Sequence, residues 1–181
     1  MAGNTRDHVQ FAALPCRIGE SGQVQVLLLT SRETRRWVIP KGWPVKGLKP
    51  REVAAREAYE EAGLLGTIIG KHAIGVYHYE KQLSGEQFLC EVRVFRFWVT
   101  QQLDDWPEKS QRGTRWFDVL EAAALVDEGE LAEIVRLALA PVRLQERNAH
   151  VRLAERSKNP IGAEERQSGP DPPKPEPNRP R

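Results

Sequence analysis

Apolar runs broken by turn formers divide the first half of the chain into short extended segments. Val9 to Ile18 and Val24 to Thr30 are apolar-rich, and Gly19-Glu20-Ser21-Gly22 between them reads as a hairpin connection. Trp37-Val38-Ile39 predicts a short strand that stops at Pro40, and Lys41 to Lys49, glycine-containing and aperiodic, predicts a loop. A helix follows. Pro50 suits its first turn, the stretch to Ala62 is rich in Ala, Glu and Arg, and Gly63 stands where a left-handed cap ends a helix. β-Branched and aromatic residues return in Ile68 to Gln82 and Phe88 to Thr100, which predict a long antiparallel hairpin across Leu83-Ser84-Gly85-Glu86. Arg115-Trp116-Phe117 predicts one more strand, and Asp118 to Val126 and Glu130 to Arg156 predict helices separated at Gly129. The expected class is α+β.

Composition adds boundaries to this outline. The 181 residues allow one ordinary domain, expected over 9–157, after a flexible N-terminus of 1–8. From Asn159 onward Pro, Glu, Lys and Arg dominate with almost no apolar residue, so 158–181 is expected to be a disordered Pro-rich tail. Pro172-Pro173-Lys174-Pro175 is only a weak polyproline ligand pattern. No apolar run approaches the roughly 20 residues that span a bilayer, and Met1 to His8 lack a secretory signal, so no membrane partner and a cytoplasmic location are expected. A net charge of +2 marks no dominant basic face, so no nucleic-acid partner is expected. Cys16 and Cys90 sit in strand-like segments and read as buried free thiols.

The chemistry concentrates on the helix. Glu57, Glu60 and Glu61 stand at i, i+3 and i+4, so three carboxylates project within about a turn of one another. Like charges at that spacing repel, and a bound Mg²⁺ or Mn²⁺ would turn repulsion into coordination. On this argument, replacing Glu61 by Gln should remove activity while leaving folding nearly intact, because loss of one carboxylate also relieves repulsion in the metal-free chain. Ala54, Ala58 and Ala62 form the opposite, small-residue face, suited to lying close against a sheet.

Gly42, Arg56, Glu57, Ala58, Glu60, Glu61, Gly63 and Leu64 match the Nudix box, a glycine followed at fixed distance by Arg-Glu-apolar-x-Glu-Glu-x-Gly-apolar. An accidental match of the six fixed residues is of order 1 in 10⁵. The chain therefore resembles the Nudix hydrolases, which implies a mixed β-sheet sandwiched between α-helices and a metal-dependent hydrolysis of phosphoanhydride bonds. The resemblance makes Glu57 and Glu61 the main metal ligands, Glu60 a further ligand or the base that activates water, and Arg56 a catalytic partner. The chain departs from the family at Leu48, where a glutamate is usual; Glu52, one turn before Arg56, is the expected substitute partner. Glu80, Glu86 and Glu91 are candidate bases outside the box.

Leu28 to Arg32, Arg36 to Pro40, Asp104-Asp105-Trp106 and Arg112 to Phe117 also resemble the diphosphoinositol polyphosphate and diadenosine polyphosphate phosphohydrolases. This likeness implies that Ser31, Arg32, Lys41, Gly42 and Arg112 line the pocket of a small-molecule polyphosphate substrate. The loop Lys41 to Arg51 carries cations and no acid, which suits a highly anionic ligand. Trp43 is expected to be exposed and able to stack on a base or cover an inositol ring, whereas His78, Trp106 and Trp116 read as packing residues. Other nucleoside diphosphate derivatives, RNA 5′-triphosphate ends and a non-catalytic Nudix-fold binding module are the alternatives.

Overall fold

The computed structural model describes residues 8–83 and 86–140, with the side chains of Leu83 and Glu86 left out. The N-terminal 1–7, the 141–156 part of the expected last helix and the Pro-rich tail lie outside the described residues. The elements run β1 (Val9–Ile18), β2 (Val24–Thr30), β3 (Trp37–Val38), β4 (Lys41–Gly42), α1 (Pro50–Ala62), β5 (Leu64–Ile69), β6 (Gly75–Leu83), β7 (Glu86–Gln102), β8 (Thr114–Asp118), α2 (Val119–Leu125) and α3 (Gly129–Arg136), closed by a 3₁₀ turn at Leu137–Leu139.

β1 is the central strand. It runs parallel to β7 from Val9 to Cys16 and antiparallel to β2 and β4. Both faces of its middle are covered, so its apolar residues from Phe11 to Cys16 are buried without alternation, as a doubly covered strand requires. Phe11 and Ala13 pack on one face with Val53, Ala54, Ala58 and Ala62 of α1. Ala12, Leu14 and Cys16 pack on the other with Ala122 of α2 and Leu131, Ile134 and Val135 of α3. The mixed sheet sandwiched between helices is thus present, and the alanine face of α1 meets the sheet with no exposed surface on Ala54, Ala58 or Ala62.

Three boundaries differ from expectation. Ile68 belongs not to the hairpin but to β5, a separate strand that pairs with the far half of β7 before the chain turns back into β6. Its middle residues Leu65, Gly66 and Thr67 are exposed, which removes the alternation that would have marked it. Lys41 and Gly42, expected in a loop, form a two-residue strand against Phe11 and Ala12. The last helix leaves α geometry after Arg136, where Arg96 reaches from β7 to the carbonyls of Leu137 and Ala140.

The end of α1 positions everything that follows. Gly63 adopts φ 67° and donates to the Tyr59 carbonyl at 2.9 Å. The remaining carbonyls of the last turn have no helical donors, and one segment satisfies them. Glu60 O accepts from Glu108 N at 3.0 Å, Glu61 O from Trp106 Nε1 at 3.2 Å, Ala62 O from Gln102 Nε2 at 3.4 Å, and Gly63 O from Leu103 N at 2.8 Å. Trp106 lies so close that a Cβ on Gly63 would stand 2.6 Å from its ring. Gly63→Ala is therefore expected to destabilise the chain by at least about 1–2 kcal/mol from the left-handed backbone alone, with the Trp106 clash added, as read by urea unfolding followed by circular dichroism.

Candidate functional site

The box glutamates occupy different environments. Glu61 is buried, and its carboxylate accepts from the backbone N–H of Lys41 at 3.2 Å and pairs with the Arg112 guanidinium. Burial pushes its carboxyl above the ordinary range, opposed by Arg112 and Lys41. Glu57 is half-buried, with its carboxylate packed on Gly42 so closely that a methyl group there would collide with it. Among the described residues Glu57 has no ion-pair partner within 4 Å. Desolvation first, then the charges of Glu61, Glu60 and Glu108, push its carboxyl up to about 7. Glu60 turns to Arg56 at 2.7 Å, an i, i+4 pair on the solvent side of α1.

Arg112 is the centre of the array. Its Nη2 meets Glu61, its Nε donates to Glu108 at 2.6 Å and its Nη1 to the Thr30 carbonyl at 3.3 Å. The loop anchored on the α1 carbonyls therefore delivers both a cation and a fourth carboxylate to the box. Glu108 was not among the bases expected from sequence, although it lies just beyond Asp104-Asp105-Trp106 and one helical turn's spacing before Arg112. Of the bases that were, Glu80 accepts from Gln87 and Glu91 pairs with Arg93 on the β6–β7 hairpin; the side chain of Glu86 lies outside the described residues.

The other expected residues fall into two groups. Lys41, Gly42 and Arg112 come together at Glu57 and Glu61. Burial draws the Lys41 amine below its ordinary value, opposed by Glu61 and Glu128, and the amine stands 5.2 Å from the centre of the Tyr79 ring. Arg32 is exposed and reaches the group through Glu108 at 3.8 Å and Gln111 at 3.4 Å. Ser31 is turned back into its own loop, with its hydroxyl bonded to Thr34 at 2.7 Å and to Arg36 N at 3.1 Å. Trp43 is 36% exposed, as expected, with Lys81 over its ring. His78 is bound by backbone and ring to Glu130 of α3, a tertiary tie. Trp116 donates to Gln102.

Two expectations need correction. Glu52 does not pair with Arg56; it accepts from Lys49 N at 2.8 Å and so caps the start of α1, leaving Arg56 to Glu60. Glu61 is not a repelled surface carboxylate, because Arg112 and the Lys41 N–H compensate it. Glu57, which has no ion-pair partner among the described residues, is the carboxylate whose neutralisation is expected to relieve the metal-free fold most.

No three ligating side chains are already gathered into a cage among the described residues. The donor set nevertheless fits a hard divalent cation. It is all oxygen, it includes the unpaired, partly desolvated Glu57, and Mg²⁺ usually takes only one or two carboxylates together with water and substrate phosphates. Among the described residues no His or Cys, which a softer metal favours, contacts Glu57, Glu60 or Glu61.

With this geometry in place, the family follows. The NUDIX domain model matches residues 8–138, and the chain belongs to the Nudix family. It is 34% identical over 108 residues to "Nudix hydrolase 16, mitochondrial" of Arabidopsis thaliana, covering 57% of this chain and 59% of that protein. It is 30% identical over 113 residues to diphosphoinositol polyphosphate phosphohydrolase 3-alpha of Mus musculus, covering 61% of this chain and 65% of that protein. The chain thus spans less than two thirds of the length of these relatives. Among solved structures, the Nudix domain of Shewanella oneidensis NrtR complexed with ADP ribose aligns at TM-score 0.56 and 13% identity, over 73% of this chain and 88% of that one. A C. elegans Ap4A hydrolase binary complex aligns at TM-score 0.53 and 18% identity, over 80% and 97%. Both share the fold.

Two outcomes test the site's geometry. Gly42→Ala is expected to displace Glu57 and lower kcat/KM by about 10²-fold with the circular dichroism spectrum unchanged. Between pH 4.5, the ordinary value, and about 7 the folded chain retains a proton on Glu57 that the unfolded chain has released, so metal-free stability should fall as pH rises through that window. Glu57→Gln should remove this loss. Melting in EDTA is expected to show the variant more stable than wild type at pH 8, by about 1–2 kcal/mol after solvent screening, with little difference at pH 4.

Proposed function

We propose that the chain is a divalent-metal-dependent pyrophosphohydrolase acting on a highly anionic small molecule, a diphosphoinositol polyphosphate or a diadenosine polyphosphate. The observation that carries this reading is the meeting of an uncompensated carboxylate, Glu57, with a compensated one, Glu61, beneath cations from two other segments, Lys41 and Arg112. A phosphoanhydride already has a good leaving group; the enzyme must neutralise oxygen charge, align water and take up a proton.

Each residue then has a task. Glu57 and Glu61 would hold Mg²⁺ or Mn²⁺, with Glu60 a further ligand or the base; the ion supplies charge neutralisation at the phosphate oxygens and acidifies water. Arg112 offers a planar fork that suits phosphate oxygens as well as carboxylate. Lys41, close to Glu61, adds positive charge beside the anhydride, and Arg32 extends it toward solvent. Gly42 leaves room for Glu57. Arg56 holds Glu60 in place. Glu108, bonded to Arg112, is the carboxylate outside the box placed to accept a proton. Ser31 enters only if its turn opens. Two buried free thiols, Cys16 and Cys90, support a reducing compartment such as the cytoplasm.

Phosphate release should be measured with purified protein and Mg²⁺ or Mn²⁺ on diphosphoinositol phosphates, diadenosine polyphosphates, ADP-ribose, nucleoside triphosphates and RNA 5′-triphosphate ends. Turnover of one of the first two classes, absent with EDTA and reduced at least about 10³-fold in Glu61→Gln, is the expected result. Preference for ADP-ribose would overturn the substrate assignment, and wild-type turnover by Glu61→Gln would overturn the metal assignment.

A further inference from the structure

The cationic loop ahead of α1 divides its charge between two places. Lys41 meets Glu61 through its backbone N–H and holds its amine over the Tyr79 ring, whereas Lys49 and Arg51 lie elsewhere. They line a separate cleft of about 440 Å³ together with Lys71 and His72, from the turn after β5, and Arg93 of β7. Of these five side chains, among the described residues only Arg93 has a carboxylate within ion-pairing distance, Glu91 at 2.7 Å. Glu52, the nearest acid in sequence, is used on the Lys49 backbone N–H. Three chain segments that are remote in sequence thus bring basic side chains around one hollow, and among the described residues Lys49, Arg51, Lys71 and His72 have no carboxylate within ion-pairing distance, an arrangement that an anion would complement.

We propose that this cleft binds a phosphate or short polyphosphate group at a site distinct from the Glu57–Glu61 cluster. Arg51 offers a fork for two phosphate oxygens, and Lys49 and Lys71 offer compact charges that can close on a third. Arg51 precedes Glu57 by six residues on α1, about 9 Å along the axis and about 120° around it, so a polyanion occupying both places would have to wrap around the start of the helix. Two sources can supply the ligand: the far end of a polyphosphate substrate, which rests on the pyrophosphohydrolase reading, or a free phosphate anion, which does not.

His72, one of four histidines in the chain, gives a local reporter. Inorganic tripolyphosphate should be titrated into the full-length protein without divalent metal at about 150 mM salt, following the ring signals by NMR, with His72→Gln assigning the resonance. A saturable shift at His72, weakened about tenfold or more in Arg51→Gln/Lys71→Gln, is the expected result; circular dichroism checks that the double variant folds. With the hydrolysed substrate, a KM raised about tenfold at unchanged kcat in that variant assigns the cleft to the substrate's far end, and unchanged KM assigns it to a free anion. No saturable shift, or equal affinity in the double variant, overturns the site. The titration involves neither metal nor turnover, so a chain that hydrolysed nothing would still show whether the cleft holds phosphate.

Discussion

A carboxylate taken out of water needs a fixed partner, and the arrangement of this site follows from how that need is met at Glu61. Its side chain and that of Arg112 are each only 7% exposed. A pair this deeply placed adds little net stability, yet loss of either member leaves a buried charge at a cost of about 3–5 kcal/mol. The pair therefore acts as a constraint. It fixes the strand before α1 through the Lys41 N–H, the helix itself, and the loop between β7 and β8, and it draws Glu108 in behind Arg112. The same loop closes the open carbonyls at the end of α1 through Gln102, Leu103, Trp106 and Glu108, so the hydrogen bonds that finish the helix also aim the cation.

Charge at the site is uneven. Glu60 is answered by Arg56 and Glu61 by Arg112, while Glu57, packed on Gly42, has no ion-pair partner among the described residues. An unanswered carboxylate in partial burial tends to hold a proton, and a divalent cation can take that place. Arg112 also has two possible clients, since its fork suits phosphate oxygens as well as Glu61. A cation that satisfied Glu61 would release Arg112 Nη2 toward an anionic substrate while Glu108 and the Thr30 carbonyl still held the rest of the guanidinium. On the proposed reading, metal, arginine and substrate would be linked through one carboxylate, Glu61.

The parts of this arrangement written in local sequence were legible before the structure. Pro50 and Gly63 bound α1 as expected, because turn and cap preferences act over a few residues, and Ala54, Ala58 and Ala62 identified the packed face. The match running from Gly42 through Arg56, Glu57, Glu60 and Glu61 to Leu64, and not the glutamate spacing alone, located the box. Long-range partners were not legible. Glu108 stands far from the box in sequence, and only the capping of α1 by its loop brings it near. Glu52 has the right helical spacing for Arg56 but is taken by the nearer Lys49 N–H. β5 escaped because the exposed middle of that strand shows no alternation, and the cleft between Lys49 and Lys71 escaped because its residues come from separate turns whose convergence only the sheet dictates.

The most direct test of the central claim is manganese binding itself, followed by electron paramagnetic resonance at pH 8 with no substrate present, in wild type and in Glu57→Gln. Wild type is expected to hold one Mn²⁺, with the affinity reduced at least about 10-fold in the variant. Equal manganese affinity in the two proteins would contradict it.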